Sequence, residues 1–561
     1  MTDTRTGPVR FIDPINVPED GRYPGFRPGT VRENGLRIDH DVKVVLRGGE
    51  SLYVDVYRSA DVPGPLPVLI AWGPYGKHNS PGRDKTFLPA AEIDPAWGIS
   101  RYAPTEAPDP MYWCPHGYAV VFADPRGTWG TPGQFTMGTQ QEAEDYHDLI
   151  EWAGTRDWST GKVGLAGASY LAFAQWRVAA TRPPHLAAIN PWEGLLDFYR
   201  EIFYHGGIPE TRFIPLWTGK AMGWAHTGTA VIEALQSLAA HHPLRDEYWH
   251  SKEVNLTGVD VPAFVVAGLA NHGLHLRGTL EAYKQLAGGQ TWLEVHGQKI
   301  WKHYYDPDSV ARQRQFFDWA LKDEQNGWVD QPPVRIEVRD HGPEGTLRAE
   351  HEWPPERTRY TPLYLDASTA SLTTTQPDTP ASMRYNTAAT KPGRAQFDVV
   401  FTQDTELTGH MKLRLWIEVD ASTDADLFVA IQKIDVNAQV IGFPFVAFRD
   451  DGPVALGWLR ASHRALDEQR STPQQPWHPH TAEEPLEPGV PVPVDIELWP
   501  SATHFGPGEG LRVVVQGSDV YLVPGGEFGH ENTRNAGHHT LHTGGRYDSH
   551  LLVPMITGAP A

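Results

Sequence analysis

Short apolar segments alternate with helical segments in the first 340 residues of this 561-residue chain, and this pattern constrains the fold more than any other feature. Runs of this kind, bounded by Pro and Gly, are typical of strands buried on both faces of a parallel sheet. Strands that alternate with helices, such as the helical segment 141–155, predict a doubly wound, mostly parallel α/β sheet. The apolar runs are PVLIAW (67–72), YAVVFAD (118–124), GKVGLAGAS (161–169), VPAFVVAGLA (261–270) and TWLEVH (291–296).

The chain is too long for one hydrophobic core, so we expect two or three domains. Residues 1–35 are rich in Pro, Gly and charge and predict an irregular N-terminal arm. Residues 36–340 form the predicted α/β domain, which begins with an antiparallel hairpin. Within it, the aromatic and more helical stretch 195–250 predicts a cap inserted over the carboxyl edge of the sheet. Residues 341–561 carry repeated alternating segments, such as MKLRLWIEVDAS (411–422), and predict a C-terminal jelly-roll β-sandwich.

The charge balance and the single cysteine exclude several classes of function. A net charge of −21 disfavours binding to nucleic acid or to an anionic membrane. Cys114 stands alone, so neither an intrachain disulfide nor a cysteine metal cluster is expected. The N-terminus lacks the apolar core of a signal peptide, and no apolar run reaches the ~18 residues of a membrane helix. We therefore expect a cytoplasmic protein.

No sequence motif for a cofactor or a metal is found. A GxGxxG motif that opens a βαβ unit and a Walker loop are both missing, so no nucleotide cofactor is expected. Two groups of histidines, His272 with His275 and His538 with His539 and His542, have neither nearby cysteines nor an HExxH helix. We expect these histidines to make ordinary hydrogen bonds and to hold no metal.

The strongest catalytic signal is the segment Gly167-Ala168-Ser169, which joins a buried strand directly to a helix. A sharp turn of this kind exposes a serine hydroxyl at the top of the sheet and predicts that Ser169 is a nucleophile. The N–H of Tyr170, at the start of the helix, is placed to stabilise an oxyanion. The G-x-S-x-G pattern of such turns fails at its last position, where Leu171 replaces Gly.

Several motifs in order resemble the CocE/NonD family, which comprises cocaine-esterase-like serine hydrolases related to X-prolyl dipeptidyl aminopeptidases (family S15) and α-amino-acid ester hydrolases. The resemblance covers about residues 36–556 and implies an α/β-hydrolase domain with a helical cap, a C-terminal jelly-roll domain and, as an assembly that fits the family, a homodimer. The motifs are WGPYGKH (72–78), VVFADPRGTWGTPGQF (120–135), GKVGLAGASYLAFAQW (161–176), GLANHGLHLRGTLEAY (268–283), TELTGHMKLRLWIEVDASTDADLFV (405–429) and AGHHTLHTGGRYDSHLLVP (536–554).

The resemblance assigns further site residues. It implies that the Tyr75 hydroxyl is the second oxyanion donor and that Asp124 and Arg126 together brace the loop under the site. It also places Asn271 where the family has a catalytic Asp. The loss of this carboxylate matters, because the acid stabilises the imidazolium that forms when the histidine accepts the serine proton.

Two histidines are candidates for the base, and the residues leave the choice open. His303 matches the W-x-H of the family loop that follows the last strand, whereas His296 ends the strand TWLEVH. Another carboxylate can replace the missing acid, and the acidic residues nearby in sequence are Glu294, Asp306 and Asp308.

The sequence thus predicts a serine hydrolase that cleaves a small-molecule carboxylic ester or amide through an acyl-enzyme on Ser169. Asn271 keeps two alternatives open. One is an acyltransferase or cyclase on the same scaffold, and the other is a catalytically impaired homologue that binds a small molecule or a protein partner.

Overall fold

The computed structural model describes residues 11–12, 25–79, 87–221, 225, 230–286, 289–387, 393–521 and 528–557. Within these ranges, eleven strands form a central sheet in the order β1-β2-β3-β5-β4-β6-β7-β8-β9-β10-β11. The strands from β5 to β10 run parallel, while β1 to β3 and β11 pair antiparallel. The five apolar runs are all strands whose ends lie within two residues of the prediction, so the doubly wound parallel sheet is confirmed. The strands are β1 (Gly29–Glu33), β2 (Leu36–Val45), β3 (Ser51–Ser59), β4 (Leu66–Trp72), β5 (Ala119–Asp124), β6 (Ser159–Ala168), β7 (Leu186–Trp192), β8 (Ala263–Gly268), β9 (Thr291–His296), β10 (Val334–Arg339) and β11 (Gly345–Glu350).

Helices pack on both faces of this sheet, as the alternation predicts. The main helices are α1 (Gln140–Gly154), α2 (Tyr170–Ala179), α3 (Leu276–Leu286), α4 (Ile300–Tyr305) and α5 (Pro307–Lys322), with shorter ones at Phe87–Ala90, Pro95–Trp97, Pro110–Trp113 and Trp328–Asp330. Asp306 fixes the start of α5, since its carboxylate accepts the N–H of Asp308 at 2.9 Å and Pro307 occupies the first helical position. Within the described ranges, none of the helices has the length and apolar character that crossing a membrane requires.

The N-terminal arm is more ordered than the sequence predicted. Residues 29–33 form the edge strand β1, which joins β2 through a tight turn with positive φ at Asn34 and Gly35. All five residues of β1 are exposed, so they carry no apolar periodicity that could have revealed the strand. Phe11–Ile12 is also a strand, and the rest of the arm before residue 25 lies outside the described residues.

The segment 195–250 lies over the carboxyl edge of the sheet and mixes short helical turns with strands. Its strand Ala230–Glu233 pairs with both Phe11–Ile12 and Gly133–Phe135, which ties the segment to the arm and to the loop after β5. The other elements are Tyr199–Phe203, Tyr204–His205, Ile208–Pro209, Phe213–Leu216, Trp217–Ala221, Leu235–His241 and Glu247–His250.

The C-terminal part is a β-sandwich, as predicted. The long strand β16 pairs with β19 on one side and with β21 and β22 on the other, while β15, β20, β17 and β18 form the facing sheet. Alternate residues of these strands form a separate apolar core. The strands are β12 (Thr358–Asp366), β13 (Ser371–Thr373), β14 (Ala381–Asn386), β15 (Arg394–Val400), β16 (Thr405–Val419), β17 (Asp426–Ile434), β18 (Ala455–Arg460), β19 (Val492–Phe505), β20 (Gly510–Gln516), β21 (His538–Thr543) and β22 (His550–Ile556), with short strands Val440–Ile441, Phe443–Phe445 and Arg449–Gly452 and a short helix Ala461–His463.

A buried arginine joins the sheet, the capping segment and the sandwich. Arg277 on α3 contacts Glu201 of the capping segment at 3.1 Å and Glu497 on β19 at 3.0 Å. The two carboxylates raise the pKa of Arg277 although burial alone would lower it. Arg277 therefore connects the three parts through its two ion pairs.

Lys77 is a second buried cation, and it anchors the loop that follows β4. Its ammonium lies 2.6 Å from Asp124 and 2.8 Å from Asp41, with Asp55 at 4.0 Å. Burial alone would lower the pKa of Lys77, and the three carboxylates raise it instead. The lysine holds the loop beside the end of β5.

The partner of Asp124 differs from the prediction. Asp124 pairs with Lys77, whereas Arg126 forms a bidentate contact with Asp145 on α1 at 2.8 Å. An Asp–Arg pair inside the D-x-R-G motif was therefore wrong, because the chain turns after β5 and directs the two side chains to different elements. Both residues brace the loops, each with its own partner.

Replacing Lys77 with Met should destabilise the fold by about 3–5 kcal/mol, because it leaves buried carboxylates without their cation. Lys43→Met on the exposed part of β2 is the matched control and should change stability by less than about 0.5 kcal/mol. Thermal unfolding of both variants at pH 7, followed by circular dichroism, checks this. Equal melting temperatures for K77M and K43M would show that the cluster contributes no net stability.

Candidate active site

Ser169 lies at the turn between β6 and α2, with φ 58° and ψ −116°. A positive φ at a non-glycine residue is strained, and this strain is characteristic of a nucleophile turn. Backbone hydrogen bonds hold the turn from both sides, since Ser169 N–H donates to the carbonyl of Trp192 at 2.9 Å and Ala168 N–H donates to that of Glu106 at 3.1 Å. The side chain is half-buried at the carboxyl edge of the sheet.

Gly73 and Gly167, the first glycine of the turn pattern, accommodate Leu171, which replaces the last glycine of that pattern. A Cβ at Gly167 would lie 2.5 Å from the Cβ of Leu171, and a Cβ at Gly73 would lie 2.5 Å from its Cδ1. Both distances are shorter than real contacts allow, so the leucine fits only because these two positions have no side chain. The departure from G-x-S-x-G therefore leaves the turn intact.

Two donors lie near the Ser169 side chain. Tyr170 is the first residue of α2, so its N–H has no acceptor within the helix. Its own hydroxyl is directed elsewhere, to Glu142 at 2.5 Å. The Tyr75 hydroxyl has Ser169 as a side-chain hydrogen-bonding neighbour and accepts from Trp217 Nε1 at 3.4 Å. The two residues predicted as oxyanion donors therefore lie beside Ser169.

The loop that carries Tyr75 is held on both sides. Trp129 Nε1 donates to the carbonyl of Pro74 at 3.0 Å, and Lys77 N–H donates to Asp124 at 3.0 Å. Gly76 has φ 91° and packs against Trp129 so closely that a Cβ there would lie 2.3 Å from the ring. The tyrosine is therefore positioned by a loop with little freedom to move.

Glu193 is an acid that sequence reasoning missed. It follows β7 directly, as Ser169 follows β6, and the register pairs Ala168 with Trp192, so both residues lie at the same edge of the sheet. Its side chain is 1% exposed. One carboxylate oxygen accepts from Asn271 Nδ2 at 2.9 Å, and the other lies 3.0 Å from His296 Nε2. A sequence signal existed, because an acid immediately after a buried parallel strand lies at the carboxyl edge.

The two candidate histidines each contact a different acid, and their rings lie with centroids 4.0 Å apart and planes tilted by 33°. His303 Nε2 lies 2.8 Å from Glu294, two residues before the end of β9. Burial alone would raise the pKa of Glu294, but His303, Arg312 and Arg335 lower it to about 2. Burial and the neighbouring His296 lower the pKa of His303.

Of the other acids near in sequence, neither Asp306 nor Asp308 contacts the ring of a candidate histidine with its carboxylate among the described residues. Asp306 caps α5, and Asp308 is exposed on its first turn. Asn271 is 2% exposed and donates to Glu193, and its Oδ1 has no hydrogen-bond partner within the described residues. The position of the missing Asp is thus filled by an amide that holds a carboxylate from the neighbouring strand.

Glu106 is a second buried acid beside Ser169 that the sequence gave no means of finding. It lies in an irregular segment between Pro95–Trp97 and Pro110–Trp113, where no periodicity or motif marks it. Its Oε1 accepts from Trp301 Nε1 at 3.0 Å, and its carboxyl group neighbours the Tyr75 hydroxyl. Burial raises the pKa of Glu106 to about 8, although Trp301 and Tyr75 act to lower it, and nearby Glu193 adds to the increase.

The two histidine groups considered for metal binding are dispersed. Burial lowers the pKa of both His272 and His275. The histidine side chains of β21 contact separate partners. His538 contacts Asp420 at 3.1 Å, and His542 contacts Glu418 at 2.9 Å. Neither group meets the geometry of a metal site in the part of the chain that the structure describes.

A cavity of about 330 Å³ lies between the capping segment and the sandwich, close to the strand edge. Its walls are largely aromatic and include Phe445, Phe448, Trp458 and Phe528. Phe448 packs on Trp301 with ring centroids 5.3 Å apart, and Trp301 contacts Glu106. On the other side, Phe528 stacks on Phe213, which stacks on Trp217 beside Tyr75.

Two family models together match most of the chain. The X-Pro dipeptidyl-peptidase (S15 family) model matches residues 48–305, and the X-Pro dipeptidyl-peptidase C-terminal non-catalytic domain model matches residues 326–552. Cocaine esterase from Rhodococcus sp. (strain MB1 Bresler) is 26% identical over 93% of this chain and 99% of its own length.

Solved structures agree with these matches. An α-amino-acid ester hydrolase shares the fold, with a TM-score of 0.71 at 18% identity, covering 96% of this chain and 99% of that one. A CocE/NonD family hydrolase from Staphylococcus aureus superposes with a TM-score of 0.89 at 40% identity, covering 93% of this chain and 94% of that one. The chain therefore belongs to the CocE/NonD family of hydrolases, with an α/β-hydrolase domain followed by a C-terminal β-sandwich domain.

Proposed function

We propose that this hydrolase cleaves a small-molecule carboxylic ester or amide through an acyl-enzyme on Ser169. The observation that carries the proposal is the arrangement around the Ser169 turn. The Tyr75 hydroxyl and the Tyr170 N–H lie beside the serine, and the buried pair of Glu193 and His296 occupies the ends of the strands that follow.

In the proposed reaction, Ser169 Oγ attacks the acyl carbonyl while His296 accepts its proton. Glu193 Oε1, 3.0 Å from Nε2, stabilises the imidazolium that forms, and Nδ1 receives the proton. Neither ring nitrogen has a hydrogen-bond partner among the described residues. Tyr75 and the Tyr170 N–H stabilise the oxyanion. The imidazolium then protonates the leaving group, and water, activated by the same histidine, releases the acid and restores Ser169.

Two features favour the pair of His296 and Glu193 over that of His303 and Glu294. His296 and Glu193 both lie at the carboxyl edge, and Glu193 is the neighbour of Ser169 across the strand register. Glu294 instead lies two residues before the end of β9 and is already paired with Arg312 at 2.7 Å. A carboxylate neutralised by a guanidinium stabilises an imidazolium less than one that, like Glu193 within the described residues, forms no ion pair with Lys or Arg.

The aromatic cavity supports an apolar group on the substrate. Its volume of about 330 Å³ suits a small organic molecule. Ser169 is not among its lining residues, and ring contacts connect the cavity to Trp217, beside Tyr75, and to Trp301, beside Glu106.

Acyl transfer and catalytic silence were the alternatives that Asn271 raised. Glu193 supplies a carboxylate to His296 in place of the missing Asp, so the substitution does not favour either alternative. Product analysis separates hydrolysis from acyl transfer: free acid is expected as the product, whereas a transferred or cyclised acyl group would point to acyl transfer.

Ser169 should react with a fluorophosphonate probe, because the proposed mechanism makes its hydroxyl nucleophilic. We expect one label per chain, located on Ser169 by peptide mass spectrometry, and none on Ser169→Ala. Folded protein, confirmed by circular dichroism, that remains unlabelled at this residue would end the proposal.

Substitutions in the two histidine–acid pairs test which one is catalytic. Glu193→Gln should lower kcat on an aryl ester by about 10³–10⁴-fold, since an amide cannot stabilise the imidazolium. His296→Ala should lower it further. The matched variants Glu294→Gln and His303→Ala should change kcat less than about tenfold if they remain folded, which their melting temperatures would show.

The reverse result, with H303A inactive and H296A active, would assign the base to His303 and its acid to Glu294. In that case Glu193 would have no part in proton transfer, although it lies at the carboxyl edge.

A further inference from the structure

Glu106 is held in one orientation by contacts on its backbone and its side chain. Its N–H donates to the Tyr305 hydroxyl at 2.9 Å, and its carbonyl accepts from Ala168 N–H at 3.1 Å, directly beside the nucleophile. Its φ is 65°, a strained value for a glutamate. Trp301 Nε1 holds Oε1 at 3.0 Å, so the side chain is fixed as firmly as the backbone.

The second oxygen of this carboxyl group is buried and unpaired. Glu106 is 3% exposed, and Oε2 has no hydrogen-bond partner within the described residues. The group neighbours the Tyr75 hydroxyl, which also has Ser169 as a hydrogen-bonding neighbour and accepts from Trp217 Nε1. A buried polar atom without a partner costs free energy, so its position beside an oxyanion donor calls for an explanation.

We propose that Glu106 is a positioning residue whose carboxylic acid O–H donates to the phenolic oxygen of Tyr75, so that the Tyr75 O–H is directed at the oxyanion. This inference rests on the proposed acyl-enzyme function of Ser169. A phenol has a single proton to donate. If its oxygen accepts from Glu106 and Trp217, that proton is free for the reacting carbonyl oxygen.

An ionised Glu106 would have the opposite effect. A carboxylate only accepts hydrogen bonds, so it would take the Tyr75 proton and remove one donor from the oxyanion. It would also place a negative charge near the one that develops in the transition state. The protonated form of Glu106 is therefore the active one.

The surroundings of Glu106 favour the protonated form. Tyr75, Tyr304 and Tyr305 face it as neutral phenols, and Trp301 contributes an uncharged donor. Glu193 is the charged group that acts on it from the strand edge, with a sign that disfavours a second anion. No Lys or Arg in the described ranges forms an ion pair with it. Burial and Glu193 accordingly raise its pKa to about 8.

The test is the pH dependence of kcat on a simple phenyl ester between pH 6 and 10, with the S169A rate subtracted. In the wild type, kcat should fall above about pH 8, as Glu106 ionises. Glu106→Gln should keep most of the activity and lose this alkaline limb, because an amide N–H donates without titrating. Glu106→Ala should lower kcat below about pH 8 by up to about 10²-fold, within the range for one oxyanion donor, and should also lose the alkaline limb.

A double-mutant comparison separates positioning from a general structural role. If Glu106 acts through Tyr75, Glu106→Ala should cost less than about threefold in a Tyr75→Phe background. Melting temperatures identify any variant that fails to fold, and E106Q, which keeps the shape of the side chain, then carries the test.

An alkaline limb that persists unchanged in E106Q, or an E106A effect of equal size in the Y75F background, would overturn the inference while leaving the acyl-enzyme intact. If the Glu106 variants raise KM for amine-bearing esters alone and leave the kcat profile unchanged, Glu106 is a cation-binding group. This result would also overturn the inference. An unlabelled, inactive wild type would instead refute the acyl-enzyme proposal and this inference with it.

Discussion

The pairing of neighbouring parallel strands at their carboxyl ends is the constraint on which the site depends. One backbone hydrogen bond, from Ser169 N–H to the carbonyl of Trp192, fixes the nucleophile turn on β6 against the end of β7. The same register continues through β8 to β9, where Gly268 is paired with His296. Side chains that are distant in sequence therefore emerge at one level of the sheet. The sheet supplies positions, and the chemistry depends on which residue types follow each strand.

The electrostatics of the edge depend on keeping buried charges apart or paired. Lys77 neutralises the acids below the Tyr75 loop, and Arg312 does the same for Glu294. Within the described residues, Glu193 contacts a histidine and an amide and forms no ion pair with Lys or Arg. Burial, with a contribution from nearby Glu193, raises the pKa of Glu106 to about 8. Acids whose environments differ in this way can take different roles in one site, one as an anion beside the base and one as a neutral hydrogen-bond donor.

The strands and the nucleophile turn were predictable because burial on both faces leaves a signature in the sequence itself. Ser169 then followed from its place in that order, whereas the two histidines were chosen with the help of the family resemblance and Tyr75 by that resemblance alone. Glu193 and Glu106 could not be assigned in the same way, since their roles arise from strand order and from loops that meet only in the folded chain. Edge strand β1 was missed for the opposite reason: it buries nothing, and its backbone pairing leaves no apolar pattern.

The position of a carboxylate at Glu193, after β7, also explains why an amide suits residue 271. Its Nδ2 lies 2.9 Å from Glu193, so a carboxylate at this position would place two buried anions in contact. Like charges at that separation cannot both remain ionised, and one of them would take up a proton. The amide instead donates to Glu193 and leaves the other carboxylate oxygen 3.0 Å from His296 Nε2. In the proposed mechanism, Asn271 orients the acid and the carboxylate acts from β7 instead of β8.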